Sequence, residues 1–131
     1  MSAPDPLQTF VWQVIVRAMI TSENLSYVPK QRLLKLMRDW GEGKITTEEM
    51  SYWCCNNYLP GAQTDDPLLP DHQQRAVHEV LQAFEWQAHD DQLVARREGW
   101  RQAIEFLNCT AENFDATKLA FERECAGTAV P

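Results

Sequence analysis

Apolar residues recur along this chain at the three- and four-residue steps of α-helices, and the pattern breaks where glycine, proline or paired aspartates interrupt it. Leu7, Phe10, Val11, Val14, Ile15, Ala18 and Met19 hold one face without a miss, which predicts a helix over 7–21 opened by Asp5 at the N-cap and Pro6 at the first position. Trp12, Val16 and Ile20 widen that stripe, so the helix is expected to be covered on two sides, and its β-branched content leaves a strand over 10–16 as the alternative. A second helix follows Pro29 and runs to Trp40, with Leu33, Leu34, Leu36, Met37 and Trp40 as its inner face. Gly41 is read as its stop, because glycine reaches positive φ without a Cβ clash.

Thr46 and Glu49 then form a T-x-x-E capping box, with Ile45 and Met50 at the hydrophobic-staple positions on either side. A cap of this kind is worth about 1 kcal/mol, so a sharp helix–turn–helix corner is expected over 40–46. The third helix buries Met50, Trp53, Cys54 and Tyr58 and stops before Pro60 and Gly61. Residues 59–70 make the longest loop, with three prolines, a glycine and two aspartates, and Leu68 and Leu69 are expected to tuck it against the body.

A fourth helix begins near Asp71, with Gln74 as its capping partner and Val77, Val80, Leu81, Phe84 and Ala88 inward. Asp90 or Asp91 is read as the cap of a fifth, whose stripe is Leu93, Arg97, Trp100, Ile104 and Leu107, with Gly99 allowing close packing in its middle. A sixth over 111–125 offers Phe114, Leu119 and Phe121, and residues 126–131 are expected to fray. Six helical patterns and no strand predict an all-α fold: a single-domain helical bundle of about five to six helices over residues 1–131, ordered over 6–125.

Composition adds little beyond size and solubility. A chain of 131 residues, 44% hydrophobic and 24% charged, buries one core. The apolar run 10–20 is too short to span a bilayer, and no basic leader or small-residue cleavage site marks a signal peptide, so the expected location is cytoplasmic. Cys54, Cys55, Cys109 and Cys125 fit no C-x-x-C pattern and read as small buried or half-buried thiols, while His72, His78 and His89 make no metal motif. No metal and no cofactor is expected.

Charge changes the picture more. The net charge of −7 argues against nucleic-acid or anionic-membrane partners. Residues 46–95 hold nine carboxylates (Glu48, Glu49, Asp65, Asp66, Asp71, Glu79, Glu85, Asp90 and Asp91) against the single Arg75, while either flank is near balance. The pairs Glu48/Glu49, Asp65/Asp66 and Asp90/Asp91 are the candidate carboxylate pairs for acid–base catalysis. Each has a plainer account in helix-dipole complementation or turn formation, and adjacent helical residues diverge rather than converge on a substrate, so no enzyme is expected. Gathered on one face, the carboxylates would steer a basic protein partner in with fast, salt-sensitive association; left apart, they are a solvated surface. Trp86 lies off the Val77–Phe84 stripe and is read as an exposed anchor within that face.

The run Leu33-Leu34-Lys35-Leu36-Met37 through Gly43-Lys44-Ile45-Thr46-Thr47-Glu48-Glu49-Met50 resembles the opening of the colicin D-type immunity proteins, in which an apolar helix ends in a short K-I-S/T corner before an acidic, aromatic-containing helix. Val77-His78-Glu79-Val80-Leu81-Gln82-Ala83-Phe84-Glu85, then Asp90-Asp91 and a helix to Phe106-Leu107, resembles the family's remaining helices in order and approximate length. The likeness covers residues 30–107; the helices over 7–21 and 111–125 lie beyond that compact bundle. It implies a bacteriocin immunity protein: a small cytoplasmic inhibitor that covers the cleft of a tRNA-cleaving toxin with acidic side chains. Glu48, Glu49, Asp65, Asp66, Asp71, Glu79, Asp90 and Asp91 would then be the toxin-facing pool. The other expectation is a phage- or plasmid-encoded inhibitor, adaptor or chaperone binding through the apolar 10–20 face, which would also serve a second copy of the chain.

Overall fold

The computed structural model describes residues 27–58, 65–89 and 93–128, the side chains of 86–89, 93, 94, 127 and 128 excepted. The helix expected over 7–21, with its Trp12 and Val16, lies outside the described residues. Five helices appear among those described: α1 (Lys30–Gly41), α2 (Thr47–Asn57), α3 (Asp71–His89), α4 (Trp100–Leu107) and α5 (Phe114–Glu124). They form the expected helical bundle. A two-stranded antiparallel ribbon, β1 (Leu93–Ala95) and β2 (Ala126–Thr128), joins the start of the second half to its end.

The inner face of α1 is the one its spacing predicts: Leu33, Leu34, Leu36, Met37 and Trp40 are all buried. Its ending differs from the expectation. Gly41 stays helical, and the left-handed residue is Gly43, at φ 80°. The Lys44 N–H donates to the Asp39 carbonyl at 2.8 Å and the Gly43 N–H to the Trp40 carbonyl at 3.1 Å, the paired bonds of a Schellman motif. Gly41 is small for another reason: a Cβ there would collide with Cγ and Cδ2 of Trp100.

The capping box forms as expected. Thr46 Oγ1 accepts from the Glu49 N–H at 3.0 Å, and Glu49 Oε1 accepts from the Thr46 N–H at 3.1 Å. Trp40 then crosses the corner to donate its indole N–H to Thr47 Oγ1 at 3.0 Å, while its ring meets Phe84 edge-on with centroids 5.0 Å apart.

Helix α2 buries Met50, Trp53, Cys54 and Asn57 at helical spacing, and Tyr58 closes it as C-cap. Its most extensive pairing is with α3, which supplies Ala76, Val77, Val80, Leu81 and Phe84 to the core. Gln74 does not cap α3 with Asp71. Its amide oxygen instead accepts from the Asp66 N–H at 3.0 Å, tying the preceding turn to the helix.

The fifth predicted helix begins later than its apolar pattern suggests. Leu93 to Ala95 is strand, paired Leu93 with Thr128, Val94 with Gly127 and Ala95 with Ala126. A short 3-10 turn, Arg97–Gly99, intervenes before Trp100 opens α4. Tertiary pairing overrides helical periodicity here, and it also removes the expected fraying over 126–128. Gly99 does serve close approach, at the N-cap of α4 rather than mid-helix: a Cβ would collide with the Glu124 carbonyl. The α4 core is Ala103, Phe106 and Leu107, with Phe106 against both Phe114 and Phe121 of α5. Leu119 is 54% exposed, because five residues on from Phe114 it points about 140° round the helix.

Candidate partner-binding surface

The acidic block occupies α2, the turn over 65–70 and α3, three consecutive pieces held together by the α2–α3 pairing. The elements place its carboxylates unequally. Glu48 is exposed in the first turn of α2 and Asp71 in the first turn of α3, where each complements the helix dipole. Glu49 is half-buried, with one carboxylate oxygen held by the capping box. Asp65 is exposed, and its Oδ1 lies 3.1 Å from His78 Nε2 on α3. Glu79 is half-buried and pairs with Lys118 of α5 at 3.4 Å.

Asp66 does not belong with these. It is 8% exposed, its Oδ1 accepts the Leu68 N–H at 2.9 Å, and its carbonyl accepts the Leu69 N–H at 3.2 Å. The carboxylate is therefore turned inward as the pin of a tight turn, and burial withdraws it from any partner. Trp86 stands on α3 with its side chain outside the description, and Asp90 and Asp91 lie outside the described residues.

The one arginine of the block reaches across to α5: the Arg75 guanidinium sits 4.5 Å over the Phe114 ring. Beneath the surface, Tyr58 packs edge-on against His78 with ring centroids 5.6 Å apart. Its phenol is pushed above its usual range, chiefly by burial and then by the charges of Glu85 and Glu79. Glu85, half-buried, faces the Cys54–Cys55 corner of α2, where burial and that charge also push both thiols up.

All four cysteines are free. Burial raises Cys54 and Cys125, the latter to about 12, which marks them as protonated core thiols rather than nucleophiles. Among the described residues no group of three or more His, Cys, Asp or Glu is placed to hold a metal ion, and no helix is long and apolar enough to cross a membrane.

Sequence reasoning missed the most exposed large apolar side chain of the described residues. Leu68, expected to tuck inward with Leu69, is 86% exposed, while Leu69 alone packs on the core. No local signal in the sequence separates Leu68 from Leu69; the turn that Asp66 pins decides which of the two faces the core. Comparison with protein-family models, curated proteins and solved structures gives no match to this chain.

Proposed function

We propose that the chain is a non-catalytic inhibitor of the immunity type, which acts in the cytoplasm and neutralises a basic, nuclease-like toxin domain by binding it through the acidic side of α2 and α3. The observation that supports this is the placement of charge. Glu48, Asp65 and Asp71 remain exposed, at the start of α2, in the turn before α3 and at the start of α3, while the Arg75 guanidinium is engaged with Phe114 on α5. Exposed carboxylates of this kind would compete with the phosphates of a nucleic-acid substrate for a basic cleft, and they accelerate encounter with a basic surface. With Asp66 buried, Glu79 paired with Lys118 and Glu49 held in the capping box, the exposed carboxylates of the pool among the described residues are Glu48, Asp71 and Asp65, the last of which lies against His78.

Co-expression with a basic nuclease toxin that it neutralises should rescue growth, and the affinity of the purified pair should fall steeply between 50 and 300 mM salt, roughly the range over which surface charges become screened. Asp65→Lys with Asp71→Lys should weaken the complex and flatten its salt dependence while helicity is unchanged. Unaltered affinity in that double variant overturns the reading.

A further inference from the structure

The turn over 65–71 uses the fold to hold one apolar side chain out in water. Asp66 is fixed from three directions: its N–H by Gln74, its carboxylate by the Leu68 N–H, and its carbonyl by the Leu69 N–H. Pro67 and Pro70 restrict φ on either side, and Leu69 packs against the core. A leucine exposed by itself is ordinary, but Leu68 is 86% exposed on backbone that has already lost its freedom. Ordering a loop is among the larger costs of association, and here that ordering precedes binding. On either side of Leu68 stand Asp65 and Asp71, both exposed.

We infer that this turn is the docking element, with Leu68 entering an apolar recess on a basic protein partner while Asp65 and Asp71 meet lysine or arginine on the rim of that recess. The inference rests on the proposed function and names the residue that carries its affinity. An apolar centre within a charged rim is the arrangement in which one side chain dominates binding, and like-charged surfaces are rejected by the same two aspartates. The partner is thus neither uniformly basic nor uniformly apolar.

The probe is the basic protein retained by immobilised wild-type chain and released by salt, purified and titrated against variants of the intact protein. Leu68→Ala should weaken its binding about 30-fold with the salt dependence unchanged, and its thermal unfolding should match wild type. Asp65→Lys with Asp71→Lys should flatten the salt dependence. Asp66→Ala, which frees the turn while keeping Leu68, should also weaken binding. If Leu68→Ala binds like wild type while the charge variant is weakened, the anchor is overturned and the proposed function stands. If the charge variant binds like wild type, or the column retains no basic protein, both are overturned.

Discussion

Two corners of this molecule are built with the same devices to opposite ends. At residues 40–46, between α1 and α2, a Schellman pair, a capping box and the indole N–H of Trp40 join helices, and Arg97 adds Nε to the Trp40 carbonyl at 2.7 Å and Nη2 to the Ile45 carbonyl at 3.3 Å. At residues 65–71, before α3, a buried aspartate and a glutamine fix the turn as firmly, yet Leu68, Asp65 and Asp71 are turned outward. The first corner uses its side chains for the fold. The second uses Asp66, Leu69 and Gln74 for the fold and leaves Asp65, Leu68 and Asp71 outside it. Rigidity alone does not separate structural from functional segments; what the rigid backbone presents does.

The contrast is broken first at Trp40. Trp40→Ala removes a fully buried ring, its contact with Phe84 and the bond to Thr47, and should cost about 3–5 kcal/mol in chemical denaturation. Leu68→Ala, at the opposite corner, should change stability by less than about 0.5 kcal/mol; a loss above 1 kcal/mol would show that Leu68 serves the fold after all.

Alkali acts beneath both corners. The unfolded thiols of Cys54 and Cys125 lose protons near their ordinary value of 9.0, whereas burial holds the folded ones protonated, Cys125 up to about 12. Their contribution is complete below about pH 9 and is lost as pH rises toward 12. Denaturation measured at pH 8 and 10.5 checks the slope, and Cys125→Ala should make it shallower.

Gly41→Ala tests the corner's packing, since the added methyl meets Trp100 near its Cβ and cannot be relieved by moving a flexible end; a loss of about 1–3 kcal/mol is expected. A smaller loss is expected from Thr46→Ala, about 1 kcal/mol, read from the midpoint of thermal unfolding.

The same contrast explains what was legible in the sequence. Where the signal is local, the reading held: the α1 stripe, the Thr46–Glu49 box, the buried Met50–Trp53–Cys54 face and the Val77–Phe84 stripe follow from spacing and capping alone. It failed where distant segments decide. Leu93 to Ala95 has no local reason to be a strand until residues 126–128 arrive beside it, and Gly99 cannot reveal from sequence that Glu124 will press against it. Gly41 and Gly43 were interchanged because the motif of two glycines two apart fits either as the left-handed residue, and only Trp100 distinguishes them. Of the acidic surface, the charge block was visible but its sorting was not. That Asp66 turns inward while Asp65 turns outward depends on Gln74 reaching back from α3, and that Arg75 reaches across to α5 depends on Phe114.

The ribbon has a mechanical consequence. Leu93 lies opposite Thr128, so the chain enters one strand and leaves the other at the same end of the pair. A pull applied across those two points loads the rungs one after another, like opening a zip, instead of shearing all of them together. The ribbon would yield to traction from that end at low force, beginning with the outermost rung and reaching Arg96 and Cys125 last.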